Sequence, residues 1–296
     1  MAQTALIFGA GGQDGHYLAA LCRERGIDPA CCSRSPGDWI VGDVADRTVV
    51  DALFREHRPA YVFQLAARST THHDALFDNH AAIATGTLNV LEAAHEYAPA
   101  ARVFVPGSGV MFRNEGRPIV ETDPFEASSA YAVARIEAVY AARYYRSRGL
   151  KTYVGYLFHH ESPLRKPGHV SRTIADAARR AAAGNSTKFE LGDIAVEKEW
   201  TFAGDAAAAM LALVEQDQVH EAVIGSGRAH SIADWLEACF KLAGRDWRKF
   251  VRLRTDFVPE YRRLVSDPST MTALGWTPRV GFEDLAAMMM AAPPRA

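Results

Sequence analysis

The sequence predicts an α/β protein with a doubly wound parallel sheet and a smaller C-terminal lobe. Apolar segments of strand length alternate with amphipathic helical segments over the first half of the chain, as in βαβ units. Near the N-terminus one such strand runs into a cluster of glycines and then into a helical pattern. The 296 residues can form a full core. We divide them at 1–162 and 163–296, and the chain is free to cross between the two parts.

The glycine cluster has the spacing of a dinucleotide-binding turn. Residues 5–8 form a short apolar run, and Leu18 and Cys22 later share one helical face. Glycines between them permit a tight turn and let a pyrophosphate approach the backbone, while the helix N-terminus offers free N–H groups. A glycine turn without a ligand is the alternative. This pattern predicts a Rossmann-type domain whose cofactor contacts include Gly9, Gly12, Gln13, Asp14 and Gly15.

The second predicted strand, at 29–33, is followed directly by Arg34. An acidic residue at this place suits the ribose of NAD, whereas a basic one suits the 2′-phosphate of NADP. We therefore expect NADP as the cofactor; a solvated loop arginine is the alternative. A short strand at 39–44 carries Asp43 and Val44, which we assign to the adenine end of the cofactor, with Asp43 accepting from the adenine amino group.

The alternation of predicted strands and helices continues after residue 44 and ends near residue 158. The strand at 61–65 runs into Leu65, Ala66 and Ala67, whose small side chains let a cofactor lie against the backbone. In parallel sheets a ligand binds at the carboxyl ends of the strands. The remaining predicted elements are a helix over Arg47–His57, a helix over 79–97, a strand over 102–106, a helix over 131–148 and a strand over 152–158.

Composition excludes several classes of function. A formal net charge of −2 argues against binding nucleic acid through bulk electrostatics. The four cysteines lack C-x-x-C spacing and are interpreted as reduced, buried thiols rather than metal ligands, with Cys31 and Cys32 on opposite faces of a strand. Neither a signal peptide nor an apolar run long enough for a bilayer is present. We expect a cytoplasmic protein that binds neither membranes nor metal.

Three residues form a candidate catalytic group: Ser108, Tyr131 and Arg135. Ser108 follows a strand, and the other two are four apart on one helix, so they share a face. A nearby cation favours proton exchange by a phenol, and a serine hydroxyl could bind the same substrate oxygen. With a hydride-carrying cofactor, this group suits redox chemistry at a carbonyl or alcohol. Taken singly, each has a structural explanation: a turn serine, a buried aromatic and a surface charge.

Taken together, several motifs resemble the extended short-chain dehydrogenases, and most closely the GDP-mannose 4,6-dehydratases. The resemblance covers nearly the whole chain and implies a Rossmann domain, NADP and a nucleotide-linked sugar, preferably a GDP-sugar, under the C-terminal lobe. The motifs are Gly9-x-x-Gly-Gln-Asp-Gly-x-Tyr-Leu, Leu65-Ala-Ala, Gly86-Thr-Leu, Leu91-Glu-Ala-Ala, Met111-Phe, Tyr131-Ala-Val-Ala, His160-Glu-Ser-Pro, Leu191-Gly, Trp200, Asp205, Asp267-Pro and Leu274-Gly-Trp.

Two departures from that family concern its catalytic residues. Val110 stands where the family has the glutamate that abstracts the C5 proton and assists loss of the 6-hydroxyl, and Ser108 replaces a threonine. Arg135 stands where the family has a lysine. Arginine keeps the positive charge but has no practical way to lose its proton. A proton relay through this position would be impaired, while electrostatic activation of Tyr131 could survive.

Other departures concern the sugar-nucleotide pocket. His159 replaces an asparagine, Thr173 a lysine, Lys198 an arginine and Phe257 an arginine. Two cationic positions thus become neutral. Nearby arginines could compensate, or they could form a solvated basic face. The substrate-binding residues that the resemblance implies are His159, Glu161, Arg172, Lys198, Arg254 and Glu260.

The sequence therefore predicts an NADP-dependent oxidoreductase acting at C4 of a nucleotide-activated sugar, with Arg135 also orienting the ribose. Complete 4,6-dehydration is the first alternative and needs a substitute base, for which His72, His73 and His159 are candidates. A binding protein that keeps NADP but has lost its chemistry is the second alternative. The loop after Arg34 is shorter than in the family, where it helps to build a tetramer, so we expect a homodimer at most. Ala134, Ala138, Ala141, Ala142 and Tyr145 could pack on a second copy or in the core of the monomer.

Overall fold

The computed structural model describes residues 3–68 and 70–291. Strands and helices alternate along its first half. In chain order the strands are β1 (Thr4–Phe8), β2 (Asp28–Ser33), β3 (Ile40–Val41), β4 (Tyr61–Gln64), β5 (Arg102–Ser108), β6 (Lys151–Leu157), β7 (His160–Glu161), β8 (Phe189–Leu191), β9 (Glu197–Glu199), β10 (Thr201–Phe202), β11 (Glu221–Ile224), β12 (Ala229–Ser231), β13 (Val251–Leu253) and β14 (Arg263–Leu264).

The helices cover both faces of the main sheet and fill the smaller lobe. They are α1 (Gln13–Glu24), α2 (Arg47–His57), α3 (Leu76–Asn79), α4 (Gly86–Tyr97), α5 (Ala130–Ser147), α6 (Val170–Ala182), α7 (Ala203–Val214), α8 (Ile232–Leu242), α9 (Ser269–Ala273) and α10 (Phe282–Met290).

Seven strands form the main sheet in the order β3-β2-β1-β4-β5-β6-β11, and every neighbouring pair is parallel. The first six strands have the order of a doubly wound dinucleotide-binding fold. One apolar core lies on each face of the sheet. Cys32 belongs to one core and Cys31 packs beside the other, as strand alternation predicts. The predicted fold class is confirmed.

The first βα unit forms where the pattern predicts it. Phe8 ends a strand that is buried at four of its five residues, and Leu18 and Cys22 bury one face of α1. Gly26 follows that helix with a φ of 72°, which an L side chain rarely adopts. Helix α2 has its predicted bounds, and the Asp46 side chain caps it by accepting from the Thr48 N–H at 2.9 Å.

Two predicted elements differ most in extent. The strand expected at 39–44 shortens to β3. The helix expected over 79–97 begins three residues earlier and contains a wider π-helical turn, His80–Thr85, between α3 and α4. Inside that turn the Ala82 carbonyl accepts from Gln64 Nε2 at 2.7 Å. Hydrophobic periodicity reports a buried face but not a local change in helical pitch.

The smaller lobe has its own core. Helices α6, α8 and α10 pack around two stacked indoles, Trp200 and Trp235, whose ring centroids are 4.4 Å apart. However, α7 packs on α1, and β11 pairs with β6 in the main sheet. The chain therefore returns to the first domain after residue 163, and a boundary based on sequence number alone does not separate the two parts.

Of the two alternatives for the alanine face of α5, the structure shows packing in the core of the monomer. Ala134, Ala138, Ala142 and Tyr145 lie in the monomer core, and Ala141 packs against it. Solvent instead meets the helix positions between them, together with two residues from the preceding helices. The exposed residues are Val133, Tyr140, Tyr144, Leu88 and Phe77. Both faces are apolar, so periodicity alone does not decide which of them the sheet covers.

Within residues 3–68 and 70–291, no helix combines the length and apolarity needed to cross a bilayer. The same residues include no group of three or more His, Cys, Asp or Glu side chains arranged to hold a metal ion.

Candidate active site

The glycine turn lies where β1 and β4 are adjacent at the centre of the sheet. A Cβ on Gly9 would come within 2.7 Å of the Leu65 carbonyl carbon and of the Ala66 nitrogen, and Gly9 has a φ of 83°. A Cβ on Gly15 would come within 2.7 Å of the Gly9 oxygen. These two positions therefore require glycine, and they bring strand, turn and helix into close contact. The crevice beyond such strand ends is the ligand site of doubly wound sheets.

A dinucleotide pyrophosphate fits this turn. Gly12 precedes α1 without a side chain, so nothing at that position blocks access to the first turn of the helix. The N–H groups of the first turn have no intrahelical acceptor, and the positive end of the helix dipole lies there. Gly9, Gly12 and Gly15 thus leave the close-packed, open turn that a pyrophosphate would need.

The side chains of Gln13 and Asp14 point toward a distant part of the chain. Gln13 Nε2 donates to the His160 carbonyl at 3.3 Å, and Gln13 Oε1 accepts from Ser162 Oγ at 2.8 Å. Asp14 Oδ1 lies 3.0 Å from His160 Nε2. Sequence reasoning assigned both residues to the cofactor. Their side chains instead join the glycine turn to residues 160–162, while their backbone N–H groups remain at the helix N-terminus.

This contact favours the protonated form of His160. Its Nδ1 lies 2.7 Å from the Phe158 carbonyl, so both ring nitrogens face acceptors. Burial opposes the charge, but the carboxylate of Asp14 outweighs it and raises the pKa of His160. Burial likewise opposes the charge of Asp14, but His160 outweighs it and lowers the pKa of Asp14. The two residues form an ion pair.

The predicted adenosine residues lie together at the ends of β2 and β3. Arg34 is exposed, and its Nη1 lies 3.9 Å from Asp43 Oδ2. Asp43 Oδ1 accepts from the Ala45 N–H at 2.9 Å. Val44 is buried against Gly86, and its carbonyl accepts from Asn89 Nδ2 at 3.0 Å. The exposed guanidinium is thus available to an anionic group, while Asp43 offsets part of its charge.

Tyr131 and Arg135 are in direct contact, as the helical spacing predicts. Arg135 Nε donates to Tyr131 Oη at 3.1 Å, and Arg135 Nη1 donates to the Pro106 carbonyl at 2.9 Å. The Arg135 residue is only 5% exposed. In the described part of the chain no carboxylate forms an ion pair with it. A buried, uncompensated cation therefore stands beside the phenol oxygen, at the strand that ends in Ser108.

A small cavity of about 170 Å³ lies beside Val110. Glu126 and Glu260 line it, and Ser128 Oγ donates at 3.3 Å either to the Val110 carbonyl or to Glu260 Oε1. Sequence reasoning assigned Glu260 to substrate binding and gave Glu126 and Ser128 no role. The cavity beside Val110 is thus lined by two glutamates.

A second cavity, of about 410 Å³, lies in the smaller lobe. Lys198, Arg254 and Glu260 line it, as does Thr173, so three predicted substrate residues share one space. Burial lowers the pKa of Lys198 to about 8. Phe257 packs so closely on Gly192 that a Cβ there would overlap its ring.

Glu161 and Arg172 do not line that cavity. Glu161 is fully buried, and burial disfavours its charge, but Arg165 outweighs this and holds the pKa of Glu161 well below its usual range. Arg165 Nε donates to Glu161 Oε2 at 2.6 Å. Arg172 donates to Asp176 at 3.0 Å and to the Pro163 carbonyl at 2.9 Å. Both residues fix the segment around residues 161–165, so any effect on a substrate would be indirect.

His159 is directed at protein groups through both ring nitrogens. Nδ1 lies 2.7 Å from the Glu199 carbonyl and Nε2 lies 2.8 Å from Glu161 Oε1. Burial, with the charge of Lys198, lowers the pKa of His159 to about 4. The one N–H of the neutral ring thus faces a protein acceptor at either ring nitrogen. These contacts argue against His159 as a substitute base near Val110.

Sequence reasoning missed several residues of this region. Arg165 and Tyr261, which lines both cavities, were given no role, and Ser162 was quoted only as part of a motif although its partner Gln13 is distant in sequence. Trp39 was noticed only as the start of a strand. The proximity of its indole to the glycine turn could not be predicted from the local sequence.

Comparison with known proteins supports one family. A family model described as GDP-mannose 4,6 dehydratase matches residues 27–289. The chain is 31% identical to GDP-mannose 4,6 dehydratase 1 of Arabidopsis thaliana, over 97% of this chain and 89% of that protein.

Solved structures agree on the fold. The dTDP-glucose 4,6-dehydratase of Bacillus anthracis, in complex with NAD, has a TM-score of 0.86 at 17% identity and covers 98% of this chain and 96% of its own. RMD from Pseudomonas aeruginosa, complexed with NADPH, has a TM-score of 0.84 at 22% identity and covers 98% of this chain and 97% of its own.

Proposed function

This chain belongs to the GDP-mannose 4,6-dehydratase family of the extended short-chain dehydrogenases, and we propose that it is an NADP-dependent oxidoreductase acting at C4 of a nucleotide-activated sugar, preferably a GDP-sugar. The observation that carries this proposal is the contact between Tyr131 Oη and Arg135 Nε at 3.1 Å. A phenol beside a buried cation can exchange a proton with a substrate hydroxyl.

Three side chains have separate roles in the reaction at the sugar. The Ser108 hydroxyl hydrogen-bonds the C4 oxygen, and Tyr131 Oη takes or returns the proton of that oxygen. Arg135 keeps a positive charge beside the phenol and orients the ribose of the cofactor with its remaining N–H groups. The nicotinamide, when bound, supplies or accepts the hydride.

The cofactor and the substrate bind in different parts of the site. Gly9, Gly12 and Gly15 receive the pyrophosphate of the cofactor, Arg34 receives its 2′-phosphate, and residues 43–44 and 65–67 flank its adenosine and nicotinamide ends. In the larger cavity, Lys198 and Arg254 neutralise the diphosphate of the substrate, and Glu260 binds its ribose hydroxyls. His159, Glu161 and Arg172 support that cavity from behind through the segment at 161–165.

Complete 4,6-dehydration is a second candidate because Glu126 and Glu260 line the cavity beside Val110. Dehydration needs a base for the C5 proton, and a carboxylate can serve. Glu260 is the better candidate, since Ser128 Oγ lies 3.3 Å from Glu260 Oε1 and 3.3 Å from the Val110 carbonyl. In that case Glu260 takes the C5 proton of the nucleotide-linked sugar and does not bind the ribose hydroxyls of the nucleotide.

We also propose a homodimer formed through the exposed face of α5 and the helices before it. Val133, Tyr140 and Tyr144 expose about half of their surface and Phe77 exposes 82%. Such a contiguous apolar face is typical of a protein contact. Replacing Tyr140 and Val133 with glutamate should convert the dimer to monomer in light scattering, whereas Lys188→Glu should not; a wild-type monomer at micromolar concentration would exclude the proposal.

The test of function is a panel of nucleotide sugars with NADP and with NADPH, followed by absorbance of the reduced nicotinamide and by mass spectrometry. Turnover of a GDP-sugar with oxidation or reduction at C4 supports the proposal. NADP binding without turnover of any sugar would favour a binding protein that has lost its chemistry.

A further inference from the structure

A tryptophan fills the space outside the glycine turn. Ring carbons of Trp39 lie 3.0 and 3.3 Å from the position that a Cβ on Gly11 would take, and Ser33 Oγ lies 3.0 Å from the same position. On the loop side of the indole, a Cβ on Gly37 would overlap the ring. Trp39 therefore lies between two glycines: a side chain at Gly37 would clash with the ring, and one at Gly11 would need the ring or Ser33 to shift slightly.

Trp39 also contacts the segment that carries Arg34. Its Nε1 donates to the Ser35 carbonyl at 2.6 Å, and its ring lies beside Ser33 Oγ. Apart from the ion pair with Asp43, the guanidinium of Arg34 has no partner among the described residues. The position of Arg34 is thus set by its backbone neighbours: Ser33 is held by its pairing with β3, and Ser35 is held by the indole.

We propose that Trp39 is the positioning residue for recognition of the adenosine 2′-phosphate: the indole locks residues 33–35 onto the glycine turn and so presents Arg34 to that phosphate. This inference rests on the proposed role of Arg34. A flexible arginine must be ordered when the phosphate binds, and this ordering reduces affinity. A loop that is already fixed avoids that loss.

The affinities for two ligands distinguish the role of Trp39 from that of the glycine turn. A ligand with a 5′-phosphate alone depends on the glycine turn and on the helix N-terminus. A ligand with an added 2′-phosphate also depends on Arg34. Loss of the indole should therefore weaken the second ligand selectively, whereas general damage to the turn would weaken both ligands alike. The ratio of the two dissociation constants is the informative quantity.

The experiment is calorimetric titration with adenosine 2′,5′-bisphosphate and with AMP. Wild type should prefer the bisphosphate by about tenfold or more, the range of one or two charge-assisted hydrogen bonds. Trp39→Ala should remove most of this preference. Gly37→Ala should do the same, because its methyl group displaces the indole although Gly37 touches neither ligand. Trp39→Phe keeps a ring but loses the hydrogen bond to Ser35, so an intermediate ratio is expected.

Controls keep the outcomes distinct. Trp247→Phe, in the smaller lobe, should leave the ratio unchanged. If Arg34→Ala lowers the ratio but Trp39→Ala and Gly37→Ala leave it at the wild-type value, Trp39 has no positioning role and Arg34 still binds the phosphate. A rise in preference without the indole would mean that Trp39 blocks the subsite, which also overturns the inference. If Arg34→Ala has no effect, the proposed role of Arg34 fails and this inference fails with it. Should Trp39→Ala not fold, Gly37→Ala and Trp39→Phe decide the question.

Discussion

Asp14 Oδ1 lies 3.0 Å from Nε2 of His160, although the two residues are 146 positions apart. Asp14 is in the first turn of α1, immediately after the glycine turn, and His160 begins the segment that leads into the smaller lobe. Gln13 makes parallel contacts with His160 and Ser162. The proposed cofactor turn and the proposed substrate lobe are therefore joined by one ion pair and two hydrogen bonds.

This ion pair predicts a pH dependence of stability. The pKa of His160 is raised above its ordinary value of 6.5 and that of Asp14 is lowered below 3.8. The pair therefore stabilises fully between those two values. Its contribution is lost as pH rises through the folded-state pKa of His160, and again as pH falls through that of Asp14.

Asp14→Asn removes the charge but keeps the shape. We expect it to lower the free energy of unfolding by about 1–3 kcal/mol near pH 6, the range for a hydrogen bond to a charged group. The difference from wild type should shrink as pH rises above His160's raised pKa. Urea unfolding across this pH range measures it. Glu24→Gln, an exposed change on the same helix, is the control; a constant difference at every pH would contradict the ion pair.

Lys198 predicts a pH dependence of substrate binding. Its pKa of about 8 means that the cation is present below this pH and lost above it. The affinity for GDP should fall by at most about tenfold per pH unit above the pKa. Lys198→Arg should flatten the profile, because arginine stays protonated. Lys188→Arg is the matched exposed control. Equal slopes in wild type and Lys198→Arg would exclude contact between this cation and the phosphates.

Arg34 predicts the choice of cofactor. Wild type should bind NADP more tightly than NAD by about 1–3 kcal/mol, as expected for charge-assisted hydrogen bonds. Arg34→Ala should abolish the difference without changing NAD affinity, whereas Arg252→Ala should change neither. Titration of both cofactors by fluorescence measures this. Equal affinity of the wild type for NAD and NADP would contradict the assignment of Arg34 to the 2′-phosphate.

Local pattern was sufficient for the first βα unit and for the pair at 131 and 135. Glycine spacing and the 3.6-residue period each relate residues that are close in sequence, and the corresponding contacts follow from helix and strand geometry alone. The bounds of α2 were predictable for the same reason, since Asp46 caps it and its apolar residues are periodic.

Contacts between distant segments could not be predicted in this way. Nothing near Asp14 indicates His160, and nothing near Trp39 indicates Gly11. The α5 helix shows the same difficulty: Ala138 and Tyr140 both belong to apolar stripes, and only the tertiary fold decides that the first is covered by the sheet and the second is exposed. The return of β11 to the main sheet likewise depends on chain topology rather than on local sequence.

Val110 predicts the outcome with GDP-mannose. Because position 110 lacks the carboxylate that the family uses as a base, we expect under the primary proposal that wild type yields no 4-keto-6-deoxy product under conditions where NADP binds. Val110→Glu should introduce such a base at the wall of the small cavity and give detectable product. Mass spectrometry distinguishes the two. If wild type forms the product at enzymatic rates, loss of that activity in Glu260→Gln would identify the substitute base.

Replacing Tyr131 distinguishes an enzyme from a binding protein that has lost its chemistry. Tyr131→Phe keeps the ring and nearly the same volume, so folding and NADP affinity should change little. Only the phenol oxygen is lost, and with it the acceptor for Arg135 Nε. Turnover of the active nucleotide sugar should fall by about 10²–10⁴-fold, the usual contribution of general acid–base catalysis. Steady-state rates, with NADP titration as the check on binding, measure this loss.

Arg135→Lys is the companion variant because it tests the role of the cation rather than of the phenol. A lysine at the same helical spacing can still place a positive charge near Tyr131, although it forgoes the contact that the guanidinium makes with the Pro106 carbonyl. Activity should be preserved or raised if the charge is what matters. Tyr140→Phe, on the exposed face of the same helix, should leave turnover unchanged. Unaltered turnover in Tyr131→Phe would show that the proton is exchanged elsewhere, even though the fold and the cofactor turn stand.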